Sequence, residues 1–273
     1  MKTRIQCIAL LSAVFLLACG AELPATQDAT DSTEADLLSG RAGTVFTLSN
    51  DIASNDVLAF RRAADGTLQK IASYSTTGLG SGDGLGSQGA LSLSGDRRFL
   101  FAVSAGSNEL AVFSVRGEQL TLVDAVSTGG VRPVSVTEHD GLVYVLHAGE
   151  GHNDVTGFYQ RHDGTLSALR GSTHALSGPS VGPAQVSFSP SGRALIVTEK
   201  MTDLIDELRV DASTGLISKA LIHKSSGATP FGFATTQRGQ VIVSEAHGGA
   251  DNASTVSSYQ LDGRAGVVDR AGS

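Results

Sequence analysis

Apolar residues along this chain come in short runs separated by turn-forming residues, and the region 183–208 shows the pattern most clearly. The run 186–188 stops at Ser189-Pro190-Ser191-Gly192, the run 194–198 follows, and a polar break at 199–203 precedes a third run, 204–210. Proline presets φ for a turn and glycine admits positive φ, so the first break predicts a hairpin connection. Asp211-Ala212-Ser213-Thr214-Gly215 predicts another turn. The spacing therefore predicts three short strands in one antiparallel meander.

The same unit recurs five times. Runs at 45–50, 100–105, 143–148, 195–200 and 241–246 align as a second strand, at successive offsets of 55, 43, 52 and 46 residues. A third strand is predicted after each, at 57–60, 110–113, 155–158, 204–208 and 256–259. A fourth is cued by Gly66-Thr67-Leu68, Gly117-Glu118-Gln119-Leu120, Gly164-Thr165-Leu166 and Gly215-Leu216. Four antiparallel strands repeating at this period predict an all-β fold, a β-propeller of four-stranded blades with five repeats visible. The 33 glycines among 273 residues agree with many short strands and turns.

The first residues stand apart from this repeat. Lys2 and Arg4 precede an apolar stretch at 8–17 that is too short for a stable membrane span, the pattern of an export signal over residues 1–18. It ends in Leu16-Leu17-Ala18-Cys19-Gly20, which resembles a bacterial lipobox and marks Cys19 for lipidation; an ordinary cleaved signal is the alternative. Gly20 after the cysteine resembles lipoproteins sent to the outer membrane. The expected location is therefore the bacterial cell envelope, with the membrane reached through a lipid anchor only. Cys7 and Cys19 are the only cysteines, so a disulfide in the exported domain is excluded. Residues 19–42 carry five acidic side chains and read as a solvated tether, leaving 43–273 as the propeller domain. The formal charge of −7 becomes more negative by two without Lys2 and Arg4, which argues against a nucleic-acid partner.

The unit Pro183-Ala184-Gln185-Val186-Ser187-Phe188-Ser189-Pro190-Ser191-Gly192-Arg193, continuing to Glu199, resembles the blade repeat of the seven-bladed lactonase propellers. That family includes 6-phosphogluconolactonase and carboxymuconate lactonizing enzyme. The segments GLGSQGAL at 84–91 and GATPFGFA at 227–234 resemble exported bacterial members. The resemblance implies seven blades, and five repeats before Ser273 imply an incomplete copy, unless five close on themselves. It also implies a histidine after the proline that opens a central blade, where this chain has Ala184.

In a propeller, the starts of the innermost strands and the ends of the second strands share one face. Here the first set is Gln88, Arg132, Gln185 and Phe231, and the second is Asn50, Ser104, His147, Glu199 and Glu245, with Lys200 alongside. Opening a lactone requires a base to activate water and a cation or donor to stabilise the oxyanion. Glu199 or Glu245 is the candidate base and Arg132 or Lys200 the candidate stabiliser; Gln88, His147, Gln185 and Asn50 are candidate ligand-binding residues. The same charges also read as a solvated channel rim. Asn50, Glu199 and Glu245 are oxygen donors of the kind that suit calcium, but no compact metal motif joins them, and no cofactor is expected. Loops 80–84 and 150–154 and the remaining histidines read as turns or exposed breaks. No Gly-x-Ser-x-Gly elbow supports a serine nucleophile. Two functions follow: a hydrolase of a sugar or muconate-type lactone, or a non-catalytic propeller binding a ligand or an envelope protein.

Overall fold

The computed structural model describes residues 43–262 and 266–270. The export signal, Cys19 and the acidic tether lie outside the described residues. Five antiparallel meanders follow one another along the chain. The first contains β1 (Gly43–Leu48), β2 (Asp56–Arg62) and β3 (Leu68–Ser75), and the second β4 (Leu91–Leu93), β5 (Phe99–Ser104), β6 (Glu109–Arg116) and β7 (Gln119–Ser127). The third contains β8 (Pro133–His139), β9 (Leu142–Gly149), β10 (His152–Gln160) and β11 (Leu166–Ala168), with β12 (His174–Ala175) also paired to β10. The fourth contains β13 (Pro183–Phe188), β14 (Ala194–Glu199), β15 (Leu204–Arg209) and β16 (Leu221–Lys224). The fifth contains β17 (Pro230–Thr235), β18 (Gln240–Glu245), β19 (Thr255–Asp262) and β20 (Gly266–Arg270). Each sheet runs in chain order from its innermost to its outermost strand, which is the organisation of propeller blades.

The turn expected at 189–192 forms: Gly192 adopts φ +67° and its N–H donates to the Ser189 carbonyl at 2.9 Å. Second strands β5 and β14 are buried at every position. Neighbouring sheets cover both of their faces, which is why they read as continuous apolar runs instead of alternating. Four apolar clusters fill the spaces between successive sheets. Val57 and Phe113 join the first sheet to the second, Phe101 and Val145 the second to the third, Tyr144 and Leu195 the third to the fourth, and Ile196 and Val243 the fourth to the fifth. The Tyr144 hydroxyl, pushed to a higher pKa by burial, donates to the Gly215 carbonyl at 2.5 Å and ties the third sheet to a turn of the fourth.

Three expectations need correction. Among the described residues the first sheet has three strands, not four. The segment 150–154 is a turn only at its start, because His152, Asn153 and Asp154 already belong to β10 and pair with β9. His139, His174 and His223 are strand residues, in β8, β12 and β16, instead of lying in breaks.

Candidate functional site

The inner ends of the sheets are bridged by the segment between β3 and β4. Gly86 and Gly89 take φ of +61° and +74°, a conformation that costs residues with a Cβ and lets this backbone cross its neighbours closely. The Ser87 hydroxyl donates to the Val134 carbonyl at 2.9 Å, Val136 N–H to the Gly89 carbonyl at 2.8 Å, and Gln88 N–H to the Ala184 carbonyl at 2.9 Å. One segment thus joins the inner strands of the second, third and fourth sheets.

Lys200, the residue after β14, donates its ammonium to the Gly86 carbonyl and sits 5.2 Å from the centre of the Phe231 ring. Arg132, the residue before β8, is held at φ +55° by a hydrogen bond from its N–H to Asn108 Oδ1 at 2.7 Å. Its guanidinium is exposed. Partial burial, and then the positive charge of Arg132, hold the Lys200 ammonium below its usual pKa. Neither cation has a carboxylate partner among the described ion pairs. The inner mouth therefore brings Gly86, Gln88, Arg132, Lys200 and Phe231 together from four sheets. Two mutually repelling cations beside an aromatic ring form a site suited to an anionic ligand.

Gln185 and Asn50 have structural partners. The Gln185 amide spans two sheets, donating to the Phe233 carbonyl and accepting from Phe233 N–H, both at 2.9 Å. Asn50 donates to Ser81 Oγ at 2.9 Å and to the Asp83 carbonyl at 2.6 Å, and so clamps the loop at 81–83 beside the first sheet.

The ends of the second strands are deep in the fold, not along a solvated rim. Ser104, His147, Glu199 and Glu245 are equivalent positions and are at most 1% exposed. Each is roofed by the loop that enters its sheet. An added Cβ at Gly78 would lie 2.5 Å from Ser104 Oγ, at Gly130 2.5 Å from the His147 ring, and at Gly227 2.8 Å from Glu245 Cγ. At the equivalent place in the fourth sheet, Ser177 covers Glu199. Its N–H donates to Glu199 Oε1 at 3.0 Å, and Glu199 Oε2 accepts from Ser177 Oγ and Thr202 Oγ1 at 2.5 and 2.6 Å. Glu245 accepts from Thr255 Oγ1 at 2.8 Å. The candidate calcium donors thus have separate partners, Asn50 in the loop at 81–83, Glu199 in Ser177 and Thr202, and Glu245 in Thr255 on β19, and among the described residues no cluster of three His, Cys, Asp or Glu could hold a metal.

Two acidic residues join this layer without having stood out in the sequence. Asp154 lies 2.8 Å from His147 Nδ1. Asp206, wholly buried on β15, lies against Glu199, and burial followed by the Glu199 charge pushes its pKa up to about 8. The sequence signal for Asp206 is an acidic pair, Asp206-Glu207, inside the apolar run 204–208, whereas Asp154 follows His152 and Asn153 and has no such signal. A further set is Asn55, Asn108 and Asp203, in the turns before β2, β6 and β15, with Asn153 near the start of β10. Asn153 Oδ1 accepts from Val181 N–H at 2.7 Å and Asp203 Oδ1 from Thr229 N–H at 2.6 Å, and both bonds hold the chain entering the next sheet.

Comparison with known proteins agrees with this architecture. The family model described as lactonase, 7-bladed beta-propeller, matches residues 48–176 and 144–273. No curated protein matches the sequence. A protein of known structure from Lactobacillus plantarum superposes with a TM-score of 0.62 at 15% identity, covering 83% of this chain and 67% of that one. A candidate 6-phosphogluconolactonase from Bacteroides fragilis gives 0.57 at 16% identity, covering 84% of this chain and 80% of that one. A protein of unknown function from Desulfotomaculum acetoxidans gives 0.56 at 14% identity, covering 85% and 68%. At such identities the structures establish the fold alone, whereas the family model spans most of the chain. With its repeated four-stranded meanders, this chain belongs to the seven-bladed β-propeller lactonase family.

Proposed function

We propose that the inner mouth binds a small carboxylate- or phosphate-bearing lactone and opens it to the hydroxy acid. The observation that carries this reading is the pair of cations, Lys200 and Arg132, that have no carboxylate partner among the described ion pairs, with Lys200 over the Phe231 ring. In the reaction, water adds to the lactone carbonyl and the ring C–O bond breaks. The departing alkoxide takes a proton to become the new hydroxyl. Lys200 or Arg132 would stabilise the oxyanion that forms as water adds. Glu199 or Glu245 could act as base only if its covering loop opened, since Ser177 bonds Glu199 and the loop at Gly227 packs closely on Glu245.

That burial, together with Ala184 where the family resemblance implies histidine, favours a second reading: binding of the same class of anion without turnover. In either reading the domain works at the bacterial cell envelope, attached through lipid on Cys19, a proposal supported by the export-signal pattern. The assay is acid release from δ-gluconolactone and its 6-phosphate above the spontaneous rate. Turnover that falls about a hundredfold in Lys200→Ala or Arg132→Ala supports hydrolysis. Absence of turnover in the unaltered protein, with the corresponding hydroxy acid still bound, selects the binding reading. Turnover unchanged in both variants would remove the cations from the mechanism.

A further inference from the structure

We propose that the second and third sheets hold between them a site for a free amino acid, at the end of the fold opposite the inner mouth. Where β5 and β9 begin, the two sheets enclose a cleft of about 310 Å³ whose lining includes Phe99, Glu138, Asp140, Gln160 and Arg161. That volume is at the low end for small-molecule pockets.

The repeat supplies an internal control for what belongs at these positions. Gln160 ends β10 and donates its N–H to the Gly141 carbonyl, just ahead of the second strand, at 2.8 Å. Val115 makes the same bond to Arg98, Val210 to Arg193 and Leu261 to Gly239, at 2.8, 2.8 and 2.7 Å. In the second, fourth and fifth sheets this position is therefore apolar, and in the third it is an amide. Glu138 pairs with Val143 on the second strand. Its counterparts are Leu93 opposite Leu100, Phe188 opposite Leu195 and Thr235 opposite Val241, none of them charged. Both departures from the repeat line the same cleft.

Each departure leaves a polar group that the protein itself does not answer. The Gln160 amide nitrogen is buried and meets no acceptor among the described residues. The half-buried Glu138 carboxylate accepts Gly95 N–H on Oε2 and Gly141 N–H on Oε1, both at 2.8 Å, but has no basic side chain among the described ion pairs. Exposed Arg161 donates to Thr165 Oγ1 at 3.5 Å and has no carboxylate partner in that set. Nearby Asp163 accepts the Thr165 hydroxyl and N–H at 2.7 and 3.0 Å, and these bonds, with the charge of Arg161, hold its carboxyl below its usual pKa. Asp96 and Arg98, also on the cleft, pair with each other at 2.8 Å.

The cleft thus lacks a cation for Glu138, an anion for Arg161 and an acceptor for Gln160. One molecule carrying an ammonium and a carboxylate supplies all three, with its ammonium on Glu138 and its carboxylate on Arg161 and the Gln160 amide. A neutral sugar would leave both charges unanswered. Nor does Phe99 offer it an aromatic face: the residue is 7% exposed, the Arg98 guanidinium lies 5.4 Å from its ring centre, and an added Cβ at Gly164 would lie 2.4 Å from its Cε1.

The test is calorimetric titration of the common amino acids, one at a time, into the unaltered protein, Gln160→Val, Arg161→Ala and the mouth variant Arg132→Ala/Lys200→Ala. Gln160→Val installs the residue type of Val115 and Val210, so its melting midpoint should be no lower than that of the unaltered protein. At least one amino acid should bind the unaltered protein and the mouth variant equally, and bind Gln160→Val and Arg161→Ala about tenfold or more weakly. The amide and the N-acetyl derivative of that amino acid, each lacking one of the two charges, should also bind about tenfold or more weakly. Binding by no amino acid, undiminished binding in Gln160→Val or Arg161→Ala, or equal binding of either derivative would overturn the proposal. So would loss of binding in the mouth variant, tighter binding of glucose than of any amino acid, or a lower midpoint for Gln160→Val, which would show that the amide already has a partner in the fold.

Discussion

Replacing Asp206 by asparagine should alter how the stability of the fold depends on pH. Asp206 is wholly buried on β15, neither of its oxygens accepts a hydrogen bond from a described donor, and it lies against Glu199. Burial first, and the Glu199 charge second, raise its pKa from 3.8 to about 8. The folded protein therefore keeps the Asp206 proton up to about pH 8, while the unfolded chain releases it near pH 4. The favourable contribution is complete below pH 4, declines as pH rises across that window and levels off above pH 8. One proton held by the folded state alone corresponds to about 1.4 kcal/mol per pH unit, or roughly 3 kcal/mol between pH 5 and 7.5. Asparagine has nearly the same shape and cannot ionise, so Asp206→Asn should lose this decline and be the more stable protein at pH 8. His223, whose pKa burial lowers against the opposing pull of Glu207, acts in the opposite sense, gaining stability as pH rises toward 6.5. It is present in both proteins, so the difference between them isolates Asp206. The assay is denaturant unfolding of each at pH 5, 6, 7 and 8. Parallel stability profiles for the two proteins would refute the assignment.

Two further substitutions probe the packing between sheets. Leu195→Ala removes a wholly buried side chain from the cluster joining the third and fourth sheets and should cost about 2–5 kcal/mol by chemical denaturation; a loss under 1 kcal/mol would mean that this interface is loosely packed. Tyr144→Phe leaves the ring in place but deprives the Gly215 carbonyl of its donor, and should cost about 1–2 kcal/mol in the same measurement. An unchanged midpoint would show that water replaces the hydroxyl.

The strands were legible because propeller second strands are covered on both faces, and continuous apolar runs such as Leu195 to Val197 announce that directly. The turn at 189–192 was legible because its residues dictate their own backbone angles. The depth of Glu199 and Glu245 was not legible. Alternation along a strand assigns a face, yet whether that face meets water depends on loops from the preceding sheet, here through Ser177 and Gly227. Asp154 was misread for a related reason: the Gly151-His152-Asn153-Asp154 context favours turns locally, and pairing with β9 overrides that preference. The gathering of Lys200, Arg132 and Phe231 followed from the repeat alone, because equivalent strand ends converge. Gly86, which accepts the Lys200 ammonium, reaches the mouth through a non-repeating segment that periodicity does not describe.

Whether the inner mouth is an anion site is decided by calorimetric titration of 6-phosphogluconate into the unaltered protein and into an Arg132→Ala/Lys200→Ala variant, each at low and high salt. Binding by the unaltered protein that weakens with salt, and falls about tenfold or more in the variant, is the expected result. Equal affinity in the two proteins, or no binding to either, would contradict it.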